Sequence, residues 1–311
     1  MDIWTTIVKV FPRTYTYRIL YNFWDMLVLL YPYVLAGILI VALLQGQVHR
    51  LPRLRFLRSE STANILAATV LGMVAPLSVY IAVPMSATLM ASGIPGAAVV
   101  AFLFACPLID PNLFILTYGA LGWQMALARV LASFALGFGA GLAYKKLSGR
   151  FPLRPREKLL SATQAGAGCG LKSPRSLGSA IRRQSIFIAK VFGISLLLSA
   201  AIKALVDPQF VQGLFGDSGN LSILLAIGLG IPFYQCGGAS IPIMQALYEL
   251  GMSGGAILAF FISGPATKLP ALYAFSEGYG WRFLSLFLLY TLAGAFAAGL
   301  IFNMFFHVSR F

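Results

Sequence analysis

Charged residues are scarce in this sequence. Of its 311 residues, 10% are Asp, Glu, Lys or Arg and 59% are apolar, and the mean hydropathy is +0.83. A soluble domain has about 25% charged residues. This composition excludes an ordinary soluble fold and predicts an all-α polytopic membrane protein, because a helix satisfies its own backbone hydrogen bonds in lipid.

Cysteine, histidine and acidic residues are also few. The 3 cysteines and 2 histidines include no Cys-x-x-Cys pair, so neither a disulfide framework nor a structural zinc site is expected. The 9 acidic residues are scattered, which argues against a membrane-embedded enzyme. A Walker-type Gly-Lys-Ser/Thr sequence is absent, so we do not expect ATP hydrolysis. We predict no catalytic residue, no metal and no cofactor.

The net charge of +14 is concentrated in loops. Of the 23 Lys and Arg residues, 10 lie in residues 145–185 and 4 more in residues 45–60. Basic loops beside apolar segments set topology and meet anionic lipid. No pattern of aromatic and basic residues suggests a nucleic-acid module, so a nucleic-acid partner is not expected. Residues 145–185 are predicted to be a basic cytoplasmic linker in contact with anionic lipid.

An internal repeat organises the chain. Ala101–Asn112 (AFLFACPLIDPN) matches Ala259–Pro270 (AFFISGPATKLP) at an offset of 158 positions. The same offset relates further identical residues, namely Gly72 and Gly230, Pro84 and Pro242, Gly93 and Gly251, Gly96 and Gly254, Gly122-Trp123 and Gly280-Trp281, and Gly141-Leu142 and Gly299-Leu300. Self-similarity at a fixed offset indicates duplication.

Eight apolar segments, four in each half, follow from this repeat. Residues 1–21 are predicted to be an interfacial N-terminal segment, residues 22–144 the first membrane repeat and residues 186–306 the second. The segments are Met26–Leu44, Asn64–Ala91, Pro95–Gly119, Trp123–Tyr144, Ile186–Val206, Leu221–Leu250, Gly254–Ser276 and Trp281–Phe306.

Two segments of each half are predicted to be broken helices. Proline removes an amide donor and clashes with the preceding turn, and broken helices at corresponding positions of two repeats indicate the central site of a transporter. The predicted breaks are at Pro76, Pro84, Pro107 and Pro111 in the first half and at Pro232, Pro242, Gly264, Pro265 and Pro270 in the second.

Asp110 and Lys268 are repeat-related charges in these segments. A charge at the centre of a membrane helix costs about 2.5–3.5 kcal/mol, so it normally faces the protein interior and pairs. We predict that the two form a buried ion pair where the halves meet. Three roles stay open: a binding or coupling site, a salt bridge that only locks the halves, or two charges capped locally by helix ends.

Polar and soft side chains near the breaks complete the candidate site. Thiols bind soft ligands, although a buried cysteine is often only a small apolar residue. The candidates are Cys106, Asn112, Ser78 and Tyr80 in the first half and Tyr234, Gln235 and Cys236 in the second.

The motifs resemble a known family. Pro-x7-Pro from Pro76, Gly-x-x-Gly-Ala from Gly93, Phe-Leu-x-x-x-Pro from Phe102 and Gly-Ile-Pro-Phe-Tyr-x-Cys from Gly230 are similar to those of the bacterial predicted permeases. That family includes YraQ-like proteins and ArsP-type organoarsenical efflux permeases. The resemblance implies a secondary transporter of the inner membrane with a cytoplasmic central loop. Ser78 and Tyr80 stand where the family often has cysteines, and Cys236 keeps a family cysteine position.

The expected function is a secondary-active permease that exports a small solute by alternating access. An ion or small-solute channel is the alternative. Homo-oligomerisation stays open, as does the relation of the halves. Eight simple crossings would make the repeats parallel, whereas one re-entrant segment in each half would make them inverted.

Overall fold

The computed structural model describes residues 15–45, 59–75, 79–148, 177–216, 219–230 and 238–306, and within these ranges the secondary structure is helical. The prediction of an all-α membrane fold is confirmed. Numbered over the described ranges, the helices are α1 (Tyr15–Gln45), α2 (Thr62–Val74), α3 (Val79–Ala91), α4 (Gly96–Ala105), α5 (Pro111–Leu147), α6 (Leu177–Leu205), α7 (Pro208–Val211, continued by a π-helical turn, Gln212–Gly216), α8 (Asn220–Gly230), α9 (Ser240–Glu249), α10 (Gly254–Thr267), α11 (Leu269–Tyr279) and α12 (Trp281–Phe305).

The chain is a multi-pass membrane protein. Helices α1, α5 and α12 each contain a stretch long and apolar enough to cross a bilayer, and the bent pairs α6–α7 and α10–α11 raise the number of candidate spans to 5. Helices α2, α4 and α8 are apolar but too short to cross alone. The described residues therefore show three to five candidate spans, and the expected number of eight apolar segments stays a prediction.

Helices α4 and α10 lie at the centre of the protein. Every residue of α10 is buried, as is α4 from Ala97 to Ala105. A helix that is apolar all round belongs in the interior. By contrast, α1 and α12 expose large apolar side chains, including Trp24 (66% exposed) and Leu289 (70%). Soluble proteins rarely present such surfaces, and here lipid covers them.

Helix boundaries recur at the offset of 158 residues. Helices α2 and α8 begin at Thr62 and Asn220, and α4 and α10 begin at Gly96 and Gly254. Helix α5 bends at Gly122, which has a φ of 83° and a ψ of 174°; the residue 158 positions later, Gly280, separates α11 from α12 with a φ of 88° and a ψ of 170°. Glycine tolerates this backbone because it lacks a Cβ.

Close helix contacts recur at the same offset. A Cβ on Gly141 would lie 2.4 Å from Ile65, 2.8 Å from Ala101 and 3.0 Å from the Ala97 carbonyl. A Cβ on Gly299 would meet the corresponding residues: the Gly255 carbonyl at 2.7 Å, Ile223 at 3.1 Å and Ala259 at 3.3 Å. Small residues let membrane helices approach in this way.

Gly255→Ala is expected to lower the free energy of unfolding by about 1–3 kcal/mol, because overpacking forces backbone shifts. The new Cβ would lie 2.2 Å from the Gly299 carbonyl oxygen. Gly228→Ala in α8 is the matched control, since a Cβ there meets nothing within 4 Å. It is expected to be neutral or to stabilise by about 0.5–1 kcal/mol. Thermal unfolding in detergent measures both, and equal effects would contradict the packing assignment.

The prediction of helix breaks is wrong at several positions. Helix α3 continues through Pro84, and α10 continues through Gly264 and Pro265. One proline removes one backbone hydrogen bond, and nearby hydroxyls can satisfy freed carbonyls. Pro265, for example, lacks the amide that would donate to the Phe261 carbonyl, four residues earlier. Pro242 is the third residue of α9, where its missing amide would have no helical partner in any case.

Several predicted features lie outside the described residues. They are residues 1–14 of the interfacial segment, residues 149–176 of the linker, and Pro76, Ser78, Pro232, Tyr234, Gln235 and Cys236. Tyr80 belongs to α3, and its side chain lies outside the description.

Candidate substrate site

Both central helices end at an interruption of the helical backbone. Residues 106–110 separate α4 from α5 and include Pro107 and Asp110. Lys268 alone separates α10 from α11. Pro111 is the first residue of α5 and Pro270 the second of α11, where proline suits the start of a helix.

Asp110 and Lys268 therefore occupy helix ends. Asp110 caps α5, and its Oδ1 accepts a hydrogen bond of 2.8 Å from the Leu113 amide. A carboxylate is favourable at a helix N-terminus. Lys268 is the C-cap of α10, where a cation is favourable, and the N-cap of α11, where it is not.

A third charge, Arg129, joins this region. Its side chain is 2% exposed, although it lies in the membrane helix α5. Its Nη1 donates to Thr117 Oγ1 at 2.9 Å and its Nη2 to the Leu108 carbonyl at 3.3 Å. The guanidinium carbon lies 4.4 Å from the ring centroid of Phe261 in α10. Arg129 thus binds the first-half break and also contacts the second half.

Electrostatic attraction links the three charges. Asp110 is attracted to both Arg129 and Lys268, and the attraction to Arg129 is the larger of the two. We refer to these three residues, one acidic and two basic, as the charge triad. The ion pair of Asp110 with Lys268 stays a prediction.

Two buried polar atoms near this site have no hydrogen-bond partner. They are Nε of Arg129 and Oγ of Ser133. Ser133 lies one helical turn after Arg129, so both residues share a face of α5. An unmet buried donor costs about 1–3 kcal/mol, and such a group in a folded protein needs an explanation, which a bound water or ligand can supply.

The corresponding positions in the second half are aromatic. Thr117 and Arg129 correspond at the offset of 158 to Phe275 and Phe287, whose ring centroids lie 4.5 Å apart. Both phenylalanines are buried. Apolar packing fills this position in one half, whereas a hydrogen-bonded cation fills it in the other.

Other contacts join the halves around the site. The hydroxyl of Ser86 in α3 is hydrogen-bonded to that of Tyr279 in α11. Phe104 of α4 packs edge-on against Phe287 of α12, with ring centroids 4.7 Å apart. These contacts place α3 and α4 of the first half against the last two helices of the second.

Cys106 and Asn112 flank Asp110 and are both buried. Cys106 is the C-cap of α4, and its amide donates to the Phe102 carbonyl. Asn112 lies against α1, because a Cβ on Gly37 would be 2.0 Å from its Oδ1. Of the predicted site residues, Asp110, Lys268, Cys106 and Asn112 thus lie within the described region, in or next to the two breaks.

Arg129 was missed by the sequence prediction, which treated Trp123–Tyr144 as an ordinary apolar span. The signal was present, since Arg129 is the single charged residue between Asp110 and Lys145. A lone charge in an apolar membrane helix indicates a functional position. Charges at repeat-related positions do not point to Arg129, because the residue at its corresponding position is Phe287.

Comparison with known proteins places the chain in a family. The model of the family described as "Predicted permease" matches residues 16–304. The UPF0718 protein YcgR of Bacillus subtilis is 22% identical over 277 residues, covering 87% of this chain and 92% of that protein. The UPF0718 protein MJ0584 of Methanocaldococcus jannaschii is 27% identical over 112 residues, covering 35% of this chain and 31% of its own length. No solved structure matches significantly. The resemblance found in the sequence is confirmed, and the chain belongs to this family of predicted permeases.

Proposed function

We propose that this protein is a secondary-active permease that exports a small solute across the bacterial inner membrane by alternating access. The proposal is supported by buried Arg129, which donates to the Leu108 carbonyl in the first-half break beside Asp110 and contacts Phe261 of α10, the helix that ends at Lys268. Transporters with repeated halves place their substrate between such broken helices. The family supports a membrane transporter over an enzyme.

Two structural repeats form the moving parts in this proposal. The recurrence of helix boundaries and glycine contacts at one offset supports them. Contacts across the junction include a hydroxyl pair, aromatic edges, the Arg129–Phe261 contact and a hydrogen bond of 3.1 Å from the Tyr290 hydroxyl to the Leu136 carbonyl. Rocking of one repeat against the other exchanges these contacts and opens the site to each side in turn.

The proposed site includes residues from both breaks. Asp110 and Lys268 bind substrate or a coupling ion, and Cys106 and Asn112 flank them. Ser78 and Cys236, which lie outside the described residues, are 158 positions apart in the sequence, and Tyr80, Tyr234 and Gln235 lie close to them in sequence. We assign these residues to the same site. The family resemblance favours an organoarsenical or a related soft organic solute.

Counterflow in proteoliposomes tests the permease mechanism. Vesicles loaded with unlabelled trivalent phenylarsenical should transiently accumulate the isotope-labelled compound against its gradient, because a carrier exchanges solute through one site. A channel equilibrates the label without accumulation. Asp110→Asn is expected to reduce counterflow at least about tenfold, the loss of one charged interaction. Asp207→Asn, at an exposed helix N-cap, is the matched control and should keep wild-type counterflow.

A further inference from the structure

We propose that the substrates of this permease include small organic oxyanions, such as carboxylates or phosphonates, and that Arg129 binds their negative group. The inference rests on the proposed function and defines the substrate class. Arg129 is the buried cation whose hydrogen bonding is incomplete, and no role in the predicted site had been given to it.

The unmet hydrogen bonds define the ligand chemistry. Arg129 uses Nη1 and Nη2 for Thr117 and Leu108, which leaves Nε–H as a donor without an acceptor. The Ser133 hydroxyl on the same face also lacks a partner. An oxyanion supplies several acceptor oxygens, and guanidinium matches carboxylate and phosphate geometry. An uncharged apolar solute would leave both donors unmet.

The charge balance favours the same class. The triad of Asp110, Arg129 and Lys268 has one acidic and two basic side chains, which in their ordinary ionised forms sum to one positive charge, and an unneutralised charge inside a membrane protein is costly. A bound monoanion neutralises it. A cationic substrate would instead raise the local charge to about +2, which the low local dielectric opposes.

Packing does not account for the arginine. The equivalent position in the second half holds Phe287, which packs on Phe275 and Phe104. The fold therefore builds this junction from apolar side chains where no ligand is needed. Arginine at the first-half position adds hydrogen bonds and charge.

Phe261 links anion binding to movement of the halves. Its ring covers the guanidinium from α10, at 4.4 Å, and the site is closed in this conformation. A cation–π contact is weaker than a charge-assisted hydrogen bond to an oxyanion. Entry of the anion displaces the Phe261 face from Arg129 and thereby separates α10 from α5.

Binding to the full-length protein in lipid-free detergent tests the inference. The probes are benzoate and phenylphosphonate, with benzamide as the uncharged analogue, measured by thermal shift and by calorimetric titration. Both anions should raise the melting temperature, and benzamide should not. A second arm adds dioleoylphosphatidylglycerol. A shift with this lipid but with neither soluble anion would overturn the proposal, because a lipid headgroup would then be the ligand.

Variants locate the binding group. Arg129→Gln should weaken anion binding at least about tenfold, the loss expected for one charged hydrogen bond. Arg129→Lys should weaken it less, because it keeps the charge but loses the planar fork. Asp110→Asn should tighten anion binding several-fold, since it removes a competing carboxylate from the same cations. Arg282→Gln removes an exposed arginine at the start of α12 and should change nothing.

The opposite results are equally defined. Equal affinity in wild type and Arg129→Gln, or weaker anion binding in Asp110→Asn, would refute the assignment. If Arg129→Gln does not fold, the Asp110→Asn affinity decides the question. Counterflow of the uncharged trivalent phenylarsenical without any anion binding would leave the permease proposal intact and overturn this one. Anion binding at Arg129 without counterflow of any of these solutes would support the anion-binding site and overturn the permease proposal.

Discussion

Asp110→Ala is expected to lower the free energy of unfolding by about 3–5 kcal/mol. Removing one member of a buried charge network leaves the others uncompensated. Arg129 and Lys268 would remain with two positive charges and no carboxylate. The variant also loses the capping bond to the Leu113 amide, which is worth about 1 kcal/mol. Unfolding in mixed detergent micelles measures the change.

The charge and the cap can be separated by two comparisons. Asp207 caps α7 by the same kind of bond, to the Gln209 amide at 2.9 Å, but it is exposed. Asp207→Ala should therefore cost about 1 kcal/mol, the value of a cap alone. Asp110→Asn keeps an oxygen acceptor for the cap and should lose mainly the charge contribution. If Asp110→Ala were no worse than Asp207→Ala, the triad would have no energetic role.

Some structural features that recur at the offset of 158 could be predicted from the sequence, because small and rigid residues mark them. Glycine and proline at matched positions reflect backbone geometry and close packing, and these are the features that the structure repeats. Gly122 and Gly280 adopt nearly the same positive φ, and Gly141 and Gly299 meet equivalent neighbours. Features fixed by the backbone therefore appear in the sequence of both halves.

Helix breaks were predicted less well, because proline is only one contribution to the local backbone. Pro84 and Pro265 both lie within helices that continue past them. The break after α10 lies instead at Lys268, three residues beyond Pro265. Sequence alone does not specify which carbonyls find other donors, and that decides whether a membrane helix continues.

The sequence pointed to Asp110 and Lys268 as candidate site residues but not to Arg129. Asp110 and Lys268 stand out because symmetry pairs them, whereas Arg129 breaks the symmetry. A site between two repeats binds one substrate molecule, so its chemistry need not be duplicated. Residues that differ between repeats at buried positions, such as Arg129 and Phe287, carry information that a search for identity discards.

The last prediction concerns which cation balances Asp110. Double-mutant cycles measure the coupling of Asp110→Asn with Arg129→Met and with Lys268→Met. Both double variants keep the net charge of the wild-type triad, because each removes one negative and one positive charge. Their stabilities are thus compared without a change in total charge. Since Arg129 attracts Asp110 more strongly, its coupling should be about 1–3 kcal/mol, and that of Lys268 should be smaller.

Transport by the same variants separates a structural from a functional role. If the triad only locked the halves, both double variants would regain activity together with stability. If the triad binds substrate, the variant that lacks Arg129 should fold and stay inactive, because it no longer has the Nε–H group that is proposed to donate to the substrate. The variant that lacks Lys268 keeps this donor, so it should retain part of its anion binding even where the transport cycle is impaired. Full activity in the Asp110→Asn, Arg129→Met protein would reduce Arg129 to a packing residue like Phe287, and the site would then have to be sought among the residues near Cys236.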